Sequence, residues 1–320
     1  MSAVYHTPHP SVWVEKILPM LQRYNSKNDN IFIHVGGKLV PRSEARVSVF
    51  DSSVQGGDAV WEGLRVYKGG ILCLDRHLNR LQASAHTLAF ADIPSKDKIK
   101  QAIRETLQAN AMEDETHIRL TLTRGEKITS GMDPRLNTKG SCLIVLAEWK
   151  PLVYDNSRGI RVITSSQRRN NPQFLDSKIH HNNLLNNILA KIQANVAGVD
   201  AAVMLDWQGF VAELHDTNIF MIKDGAVFTP YPDACLHGIT RGLVVEICQA
   251  QKIPAFERNL SLTDFYTADE VFATGTMGEL TPITEIDGRA ITNNSGKNTL
   301  KQIQDHFIKL IPTLSEPLLF

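Results

Sequence analysis

Lys178 lies in the polar segment "SKIHHNN", directly ahead of a predicted helix. A loop lysine is most often a solvated cation. Beside a phosphate site, however, its amine could also act as a nucleophile. The helix that follows is predicted from one apolar stripe at helical spacing, formed by Leu185, Ile188, Leu189 and Ile192. The role of the lysine therefore depends on what other groups the fold brings to it.

Two segments could bind a phosphate. In "HGITRGLVVEI", residues 237–247, Gly238 and Thr240 lie where a helix begins, so backbone N–H groups and a hydroxyl would face an anion there. An ordinary threonine N-cap would give the same pattern. In "ATGTMGEL", residues 273–280, two glycines flank Thr276 after a predicted strand, and the amides of this loop could approach a phosphate closely. The second segment matches neither the Walker loop nor the dinucleotide-binding pattern.

Glu213, in "GFVAELHDTNIF", is the candidate carboxylate. It is either a surface group at a strand end or a semi-buried group that serves one specific partner. A metal site made of Glu213, His215 and Asp216 is disfavoured, because neighbours on an extended chain point to opposite faces. The same reason applies to His180 and His181. A lysine, a carboxylate and two phosphate loops are instead what pyridoxal phosphate requires, for a Schiff base, a protonated pyridine nitrogen and a bound phosphate.

Strands and helices in mixed order must position these groups. Hairpins are expected at Gly36-Gly37, Gly69-Gly70 and Asp224-Gly225. Asp75 is expected to cap a helix that carries Arg80. This order predicts an α/β (α+β) fold of two domains. The expected parts are an N-terminal extension over 1–28 with a short helix around Val12 to Tyr24, a small α/β domain over 29–149, a linker over 150–158 and a large mixed β-domain with helices over 159–320.

The composition argues against several classes of partner. The 320 residues are 42% hydrophobic and 21% charged, which is typical of a globular protein with a sizeable core. Lys+Arg and Asp+Glu both number 34, so neither nucleic acid nor an anionic membrane is expected as the main partner. Four scattered cysteines without a C-x-x-C pair predict reduced core residues of a cytoplasmic protein. The N-terminus lacks signal-peptide features, and no apolar run approaches the roughly 18 residues of a membrane span.

Five segments, in order over residues 30–310, resemble class IV (branched-chain type) pyridoxal-phosphate aminotransferases. The resemblance implies a fold-type IV homodimer that binds pyridoxal 5′-phosphate between its two domains and uses no metal. It implies amino transfer between a branched-chain L-amino acid (leucine, isoleucine or valine) and 2-oxoglutarate in a ping-pong cycle. The segments are "GDAVWEGLRVY…LDRHLNRL", "SKIHHNNLLNNILAK", "GFVAELHDTNIFMIKDGAVFTP", "HGITRGLVVEI" and "DEVFATGTMGELTPITEIDG".

The resemblance also implies a role for individual residues. Lys178 matches the Schiff-base lysine, which also moves the α-proton, and Glu213 matches the carboxylate that pairs with the pyridine nitrogen. Arg80 matches a phosphate ligand, although its own helix pattern places it on a polar flank like any surface residue. The remaining matches are Ile239, Thr240 and Thr276 at the phosphate, and Trp61, Arg119 and Met277 in the substrate pocket.

The chain departs from the branched-chain pattern where the family has tyrosines. Gly56 and His117 replace two of them, and a third, which bonds the cofactor's ring oxygen, would fall near Asn183. Such losses change the substrate pocket. The alternatives are therefore a transaminase for D-amino acids or (R)-amines, a lyase of the aminodeoxychorismate type, and a relative that binds without turnover. Arg124 lies where the D-amino-acid branch has a carboxylate trap, but that match is poor.

Overall fold

The computed structural model describes residues 24–293 and 296–318, which form two β-sheets with helices packed against them. Of the helix predicted around Val12 to Tyr24, all but Tyr24 lies outside the described residues. Within the described part of the chain, no helix has the length and apolar character needed to cross a bilayer.

The first sheet has seven strands, and all of its pairs are antiparallel. The strands are β1 (Phe32–Val35), β2 (Lys38–Pro41), β3 (Ala59–Tyr67), β4 (Gly70–Leu72), β5 (Thr116–Thr123), β6 (Cys142–Trp149) and β16 (Ser315–Pro317). Their order across the sheet is β16-β4-β3-β5-β6-β1-β2. The helices of this part are α1 (Ser52–Gly56), α2 (Leu74–Thr87) and α3 (Lys96–Ala109).

The core of this part lies between the sheet and two amphipathic helices. From α2, Leu78, Leu81 and Ala85 are fully buried. The predicted cap of α2 is wrong, because the helix begins one residue before Asp75, which instead lies in the first turn, 2.9 Å from the Nζ of Lys100. That register turns Arg80 away from the packed stripe and toward the second half of the molecule.

The second sheet has nine strands and mixed pairing. They are β7 (Ile160–Arg168), β8 (Ala201–Leu205), β9 (Val211–Leu214), β10 (Asn218–Lys223), β11 (Ala226–Thr229), β12 (Ala255–Glu257), β13 (Glu270–Gly275), β14 (Glu279–Ile286) and β15 (Arg289–Ala290). Their order is β12-β11-β10-β13-β14-β7-β8-β9, and β15 pairs with β14. The helices are α4 (Leu185–Ala197), α5 (Ile239–Ala250), α6 (Leu262–Tyr266) and α7 (Thr299–Leu314).

The predicted hairpins are present, with one shift of register. At Gly36-Gly37 both residues have positive φ, as a two-residue turn of this hand requires. Asp224 and Gly225 form the turn between β10 and β11 in the same way. At the third hairpin Gly70 already pairs with Tyr67, so the turn is one residue earlier than predicted.

The apolar stripe of α4 lies at the surface. Leu185 and Val196 are 74% and 68% exposed, and the side chains of this stripe between them are about half exposed. The helix packs on the second sheet through Ala190 and Ala194, which are fully buried. Small residues bring the helix close to the sheet, so its larger apolar side chains face outward. The spacing of the stripe is helical, but the stripe does not mark the core-facing side.

Residues 150–158 form neither helix nor strand. They lead from β6 of the first sheet to β7 of the second. The end of the described chain returns to the first sheet, because β16 pairs with β4. The domain bounds given above stay a prediction.

Candidate functional site

A cavity of about 420 Å³ is lined by residues from both sheets and from the helices that pack on them. This volume falls within the range of small-molecule sites, about 300–1,000 Å³. Side chains from β3, α2 and β5 meet side chains from β9, α5 and the β13–β14 loop there. Eight of the nine predicted site residues line it: Trp61, Arg80, Arg119, Glu213, Ile239, Thr240, Thr276 and Met277.

Lys178 is the predicted site residue that does not line the cavity. Its side chain is 39% exposed, and its Nζ lies 3.1 Å from Oδ1 of Asp176. The flanking residues Ser177 and Ile179 do line the cavity, so the chain follows the cavity wall at this point. An exposed ion pair contributes only about 0–1 kcal/mol. Rotation of the lysine side chain away from Asp176 is therefore inexpensive.

Among the described residues, the lysine that lines the cavity is Lys191, on α4. Its Nζ donates to the backbone oxygen of Asp200, and burial lowers its pKa. This residue was not predicted from the sequence, because "LAKIQA" has the pattern of an ordinary helix.

Glu213 is a buried carboxylate in the cavity wall. Its Oε1 lies 2.8 Å from Nε of Arg169, and its Oε2 accepts a hydrogen bond of 3.1 Å from Nδ2 of Asn218. Burial raises the pKa of Glu213 to about 7, and the guanidinium of Arg169 opposes part of this shift. The carboxylate therefore changes protonation near neutral pH, and a cationic ligand would hold it ionised. Arg169 was not predicted from the sequence, since "SSQRRNN" carries no sign of a partner 44 residues later.

The start of α5 forms another part of the wall. Thr240 is the second residue of the helix, and Gly238 occupies the cap position without a side-chain cap bond, so the threonine N-cap alternative is wrong. A Cβ at Gly238 would clash with Oδ1 of Asn218. Nδ2 of Asn218 donates to the backbone oxygen of Leu236 as well as to Glu213. Glycine at 238 thus lets one amide side chain connect the uncapped helix start to the buried carboxylate.

The β13–β14 loop brings Thr276 and Met277 to the same cavity. Thr274, at the end of β13, also lines it, and its buried Oγ1 has no hydrogen-bond partner among the described residues. A buried hydroxyl without a partner costs about 1–3 kcal/mol. This orphaned atom, the uncapped amides of α5 and the buried carboxylate together fit a ligand that carries both an anionic group and a protonated ring nitrogen.

Arg80 reaches the cavity from α2, and its side chain is only 16% exposed. Glu62 accepts from its Nε and Nη2 at 2.8 and 2.7 Å, and Nη1 donates 2.8 Å to the backbone oxygen of His237. The sequence pattern alone, which made Arg80 equivalent to a surface residue, was therefore misleading. A guanidinium fixed beside the start of α5 is suited to bind a phosphate.

Trp61 and Arg119 form another part of the wall with two histidines. The Arg119 guanidinium carbon lies 3.4 Å from the Trp61 ring centroid, and the His180 ring centroid lies 4.0 Å from that of Trp61. Burial lowers the pKa of Arg119 to about 10, and it lowers the pKa of His117 and His180 to about 3 and about 4. At neutral pH this wall therefore carries one positive charge and two neutral imidazoles, which suits a substrate carboxylate.

The positions where the family has tyrosines differ in their relation to the cavity. His117 lines it. Asn183 is exposed, and its Nδ2 donates to the backbone oxygen of Gly57. Across residues 24–293 and 296–318, no group of three His, Cys, Asp or Glu side chains is arranged to hold a metal ion.

A family model, amino-transferase class IV, matches residues 59–286, a range that contains every predicted site residue. The chain belongs to the class IV aminotransferases. The predicted resemblance is thereby confirmed, and it extends to proteins that carry branched-chain names. The "branched-chain-amino-acid aminotransferase-like protein 2" of Arabidopsis thaliana is 52% identical over 97% of this chain. The "putative branched-chain-amino-acid aminotransferase" of Methanocaldococcus jannaschii is 42% identical over 86% of this chain and 94% of its own length.

A solved structure confirms the predicted two-domain fold. The T.th. branched-chain amino acid aminotransferase, complexed with N-(5′-phosphopyridoxyl)-L-glutamate, superposes with a TM-score of 0.82. It is 28% identical, and the match covers 90% of this class IV aminotransferase and 99% of that structure. The chain nevertheless spans only 57% of the length of the Arabidopsis relative.

Proposed function

We propose that this class IV aminotransferase moves an amino group between a branched-chain L-amino acid and 2-oxoglutarate with pyridoxal 5′-phosphate. The observation that carries the proposal is the cavity that joins Glu213 to Arg80 and to the uncapped start of α5. The names of the relatives and the phosphopyridoxyl ligand of the structural neighbour support the donor class and the cofactor.

The side chains divide the cavity into two ends. Arg80, Thr276 and the first turn of α5, with Ile239 and Thr240, would hold the phosphate through a guanidinium, hydroxyls and helix amides. Glu213 would face the pyridine nitrogen, and Asn218 would keep its carboxylate oriented. When bound, the cofactor supplies an electron sink for the bonds at the substrate Cα. Trp61, Arg119 and Met277 would then orient the substrate.

Lys178 is proposed as the lysine that attaches the cofactor and carries the proton. Its side chain would leave Asp176 and enter the cavity between Ser177 and Ile179. The Nζ could then take the α-proton of a donor amino acid and return it in the second half-reaction.

The half-reaction with single donors tests the proposed function. Protein loaded with pyridoxal phosphate is mixed separately with L-leucine, L-valine, D-alanine and (R)-1-phenylethylamine, and its visible absorption band is followed. We expect L-leucine and L-valine to remove the band, and D-alanine and the amine to leave it. Loss of the band with D-alanine or the amine alone would contradict the proposal and assign the pocket to the other donors. A protein that never develops the band would lack the proposed cofactor.

We further propose a homodimer, which the exposed apolar face of α4 supports. This face consists of Leu185, Ile188, Leu189, Ile192 and Val196. An exposed apolar surface of this kind is typical of an interface. Ile188 also lines the cavity, so a second copy seated here would close its rim.

The double variant Leu189→Lys/Ile192→Lys is expected to shift the protein from dimer to monomer, because it places two charges on this face. Sedimentation velocity measures the shift. Lys301→Glu, at an exposed position on α7, serves as the control that changes surface charge elsewhere. A variant with the sedimentation coefficient of the starting protein would place the interface on another surface.

The remaining proposals concern domain bounds and location. We propose a small domain over 29–149, a linker over 150–158 and a large cofactor-binding domain over 159–320. The two sheets support this division, except that β16 pairs with β4 of the first sheet. We propose a cytoplasmic location, supported by four cysteines that are all free.

A further inference from the structure

Glu62, on β3, is a fully buried carboxylate that contacts three other side chains. It accepts two hydrogen bonds from Arg80, at 2.8 and 2.7 Å. Its Oε2 lies 2.7 Å from Nδ1 of His77, and its Oε1 lies 3.1 Å from Nδ1 of His180. Burial acts to raise the pKa of Glu62, but the positive charge of Arg80 and the hydrogen bonds from Arg80 and His180 hold it well below its usual range. The carboxylate is therefore ionised and fully paired.

His180 belongs to the Lys178 segment, residues 174–184, and lies two residues after Lys178. Its contact with Glu62 therefore joins this segment to β3. This segment is attached to β3 like a short extra strand. The amide of Trp61 donates 2.9 Å to the oxygen of His180, and the amide of Asn182 donates 2.9 Å to the oxygen of Ala59. The His180 ring also packs on Trp61, and the backbone amide of His180 donates to Oγ of Ser84 on α2.

Glu62 thus connects two parts of the cavity that come from distant places in the sequence. On one side is the guanidinium of Arg80, fixed beside the start of α5. On the other is the wall that leads to Lys178. Glu62 binds Arg80 through opposite charge, and it accepts a hydrogen bond from the protonated Nδ1 of His180. Because one carboxylate makes both contacts, a change in either contact alters the other.

We propose that Glu62 is a positioning residue that fixes Arg80 and, through His180, the Lys178 segment in one arrangement. The inference rests on the proposed function and extends it, since it ties phosphate binding to the placement of the lysine. It predicts that loss of the Glu62 charge weakens the hold on the phosphate specifically and loosens the Lys178 segment at the same time.

The first half of the proposal is that Glu62 supports phosphate binding through Arg80. Glu62→Gln tests it through two equilibrium affinities. We expect the affinity for pyridoxal phosphate to fall about tenfold more, or about 1.4 kcal/mol more, than the affinity for pyridoxal, which lacks the phosphate but has the same aldehyde. A merely structural role would weaken both ligands alike. Glu270→Gln is the matched control, because Glu270 is also a buried glutamate, but it accepts hydrogen bonds from the amides of Thr299 and Leu300 at the start of α7. It should leave the ratio of the two affinities as in the starting protein.

His180 variants test the second half and remain informative if Glu62→Gln fails to fold. His180→Asn keeps a donor near Nδ1 and should retain slow hydrogen exchange over residues 174–184, whereas His180→Ala should speed that exchange. Equal exchange in both variants, or an unchanged ratio of affinities in Glu62→Gln, would overturn the inference. Failure of the starting protein to bind pyridoxal phosphate would instead defeat the proposed function, so the two failures are distinguishable.

Discussion

Lys178→Ala is expected to abolish transamination, with a fall in turnover of about 10²- to 10⁴-fold or more. The reason is that the variant lacks the amine proposed to attach the cofactor and to move the α-proton. Cofactor bound only through Arg80, Glu213 and the α5 start should persist, because none of these contacts involves Lys178. Turnover with L-leucine and 2-oxoglutarate measures the loss, and the fluorescence of the bound cofactor measures its retention.

The structure offers a matched control for this prediction in Lys191. Lys191 lines the cavity, whereas Lys178 is paired with Asp176 outside it. Lys191→Met removes the second amine with little change in volume and should affect turnover far less. Borohydride reduction of the loaded protein, followed by peptide mapping, should place the cofactor on the peptide that contains Lys178. Cofactor trapped on Lys191, with turnover retained in Lys178→Ala, would contradict the assignment of Lys178 as the lysine that attaches the cofactor.

The parts of the fold that depend on local geometry could be predicted from the sequence. The hairpin at Gly36-Gly37 needs two residues of positive φ, and that requirement is written in the residue types themselves. The apolar spacing of α2 likewise marks the side that packs on the sheet. The apolar stripe of α4 does not, because the packing side was decided by Ala190 and Ala194 and by the close approach of the sheet. Apolar periodicity therefore predicts which residues of a helix share a face, but it does not predict which face packs on the sheet.

The candidate site shows the same division. The start of α5 was predicted from Gly238 and Thr240, which are close together in the sequence, whereas only the structure shows that no side chain caps it. The pair Glu213–Arg169 and the contacts of Glu62 join residues far apart in the chain, and a single sequence carries no sign of them. The orientation of the Lys178 side chain could not be predicted from the sequence either. This side chain is flexible and its partner Asp176 is partly exposed, so a bound ligand can change its orientation.

Glu213→Gln is expected to retain the cofactor and to lower turnover by about 10- to 100-fold, the loss of one charge-assisted hydrogen bond of about 1.5–3 kcal/mol. A neutral amide no longer stabilises a proton on the pyridine nitrogen, whereas the phosphate contacts are unaffected. Steady-state turnover and a cofactor-binding titration measure the two effects. Glu270→Gln, the same change at a buried position outside the cavity, should keep turnover. Unchanged turnover in Glu213→Gln would show that this carboxylate does not act on the ring nitrogen.

Glu213→Gln should also change how the free energy of unfolding depends on pH in the protein without cofactor. The pKa of Glu213 is raised to about 7 from an ordinary value of 4.5. A raised pKa means that the group's contribution to stability is present below pH 4.5 and is lost as the pH rises toward 7. The free energy of unfolding of Glu213→Gln relative to the starting protein should therefore rise between pH 4.5 and 7, by up to about 3 kcal/mol, and level off above. Urea unfolding across this range measures the difference, and a flat difference would mean that Glu213 titrates as an exposed carboxylate does.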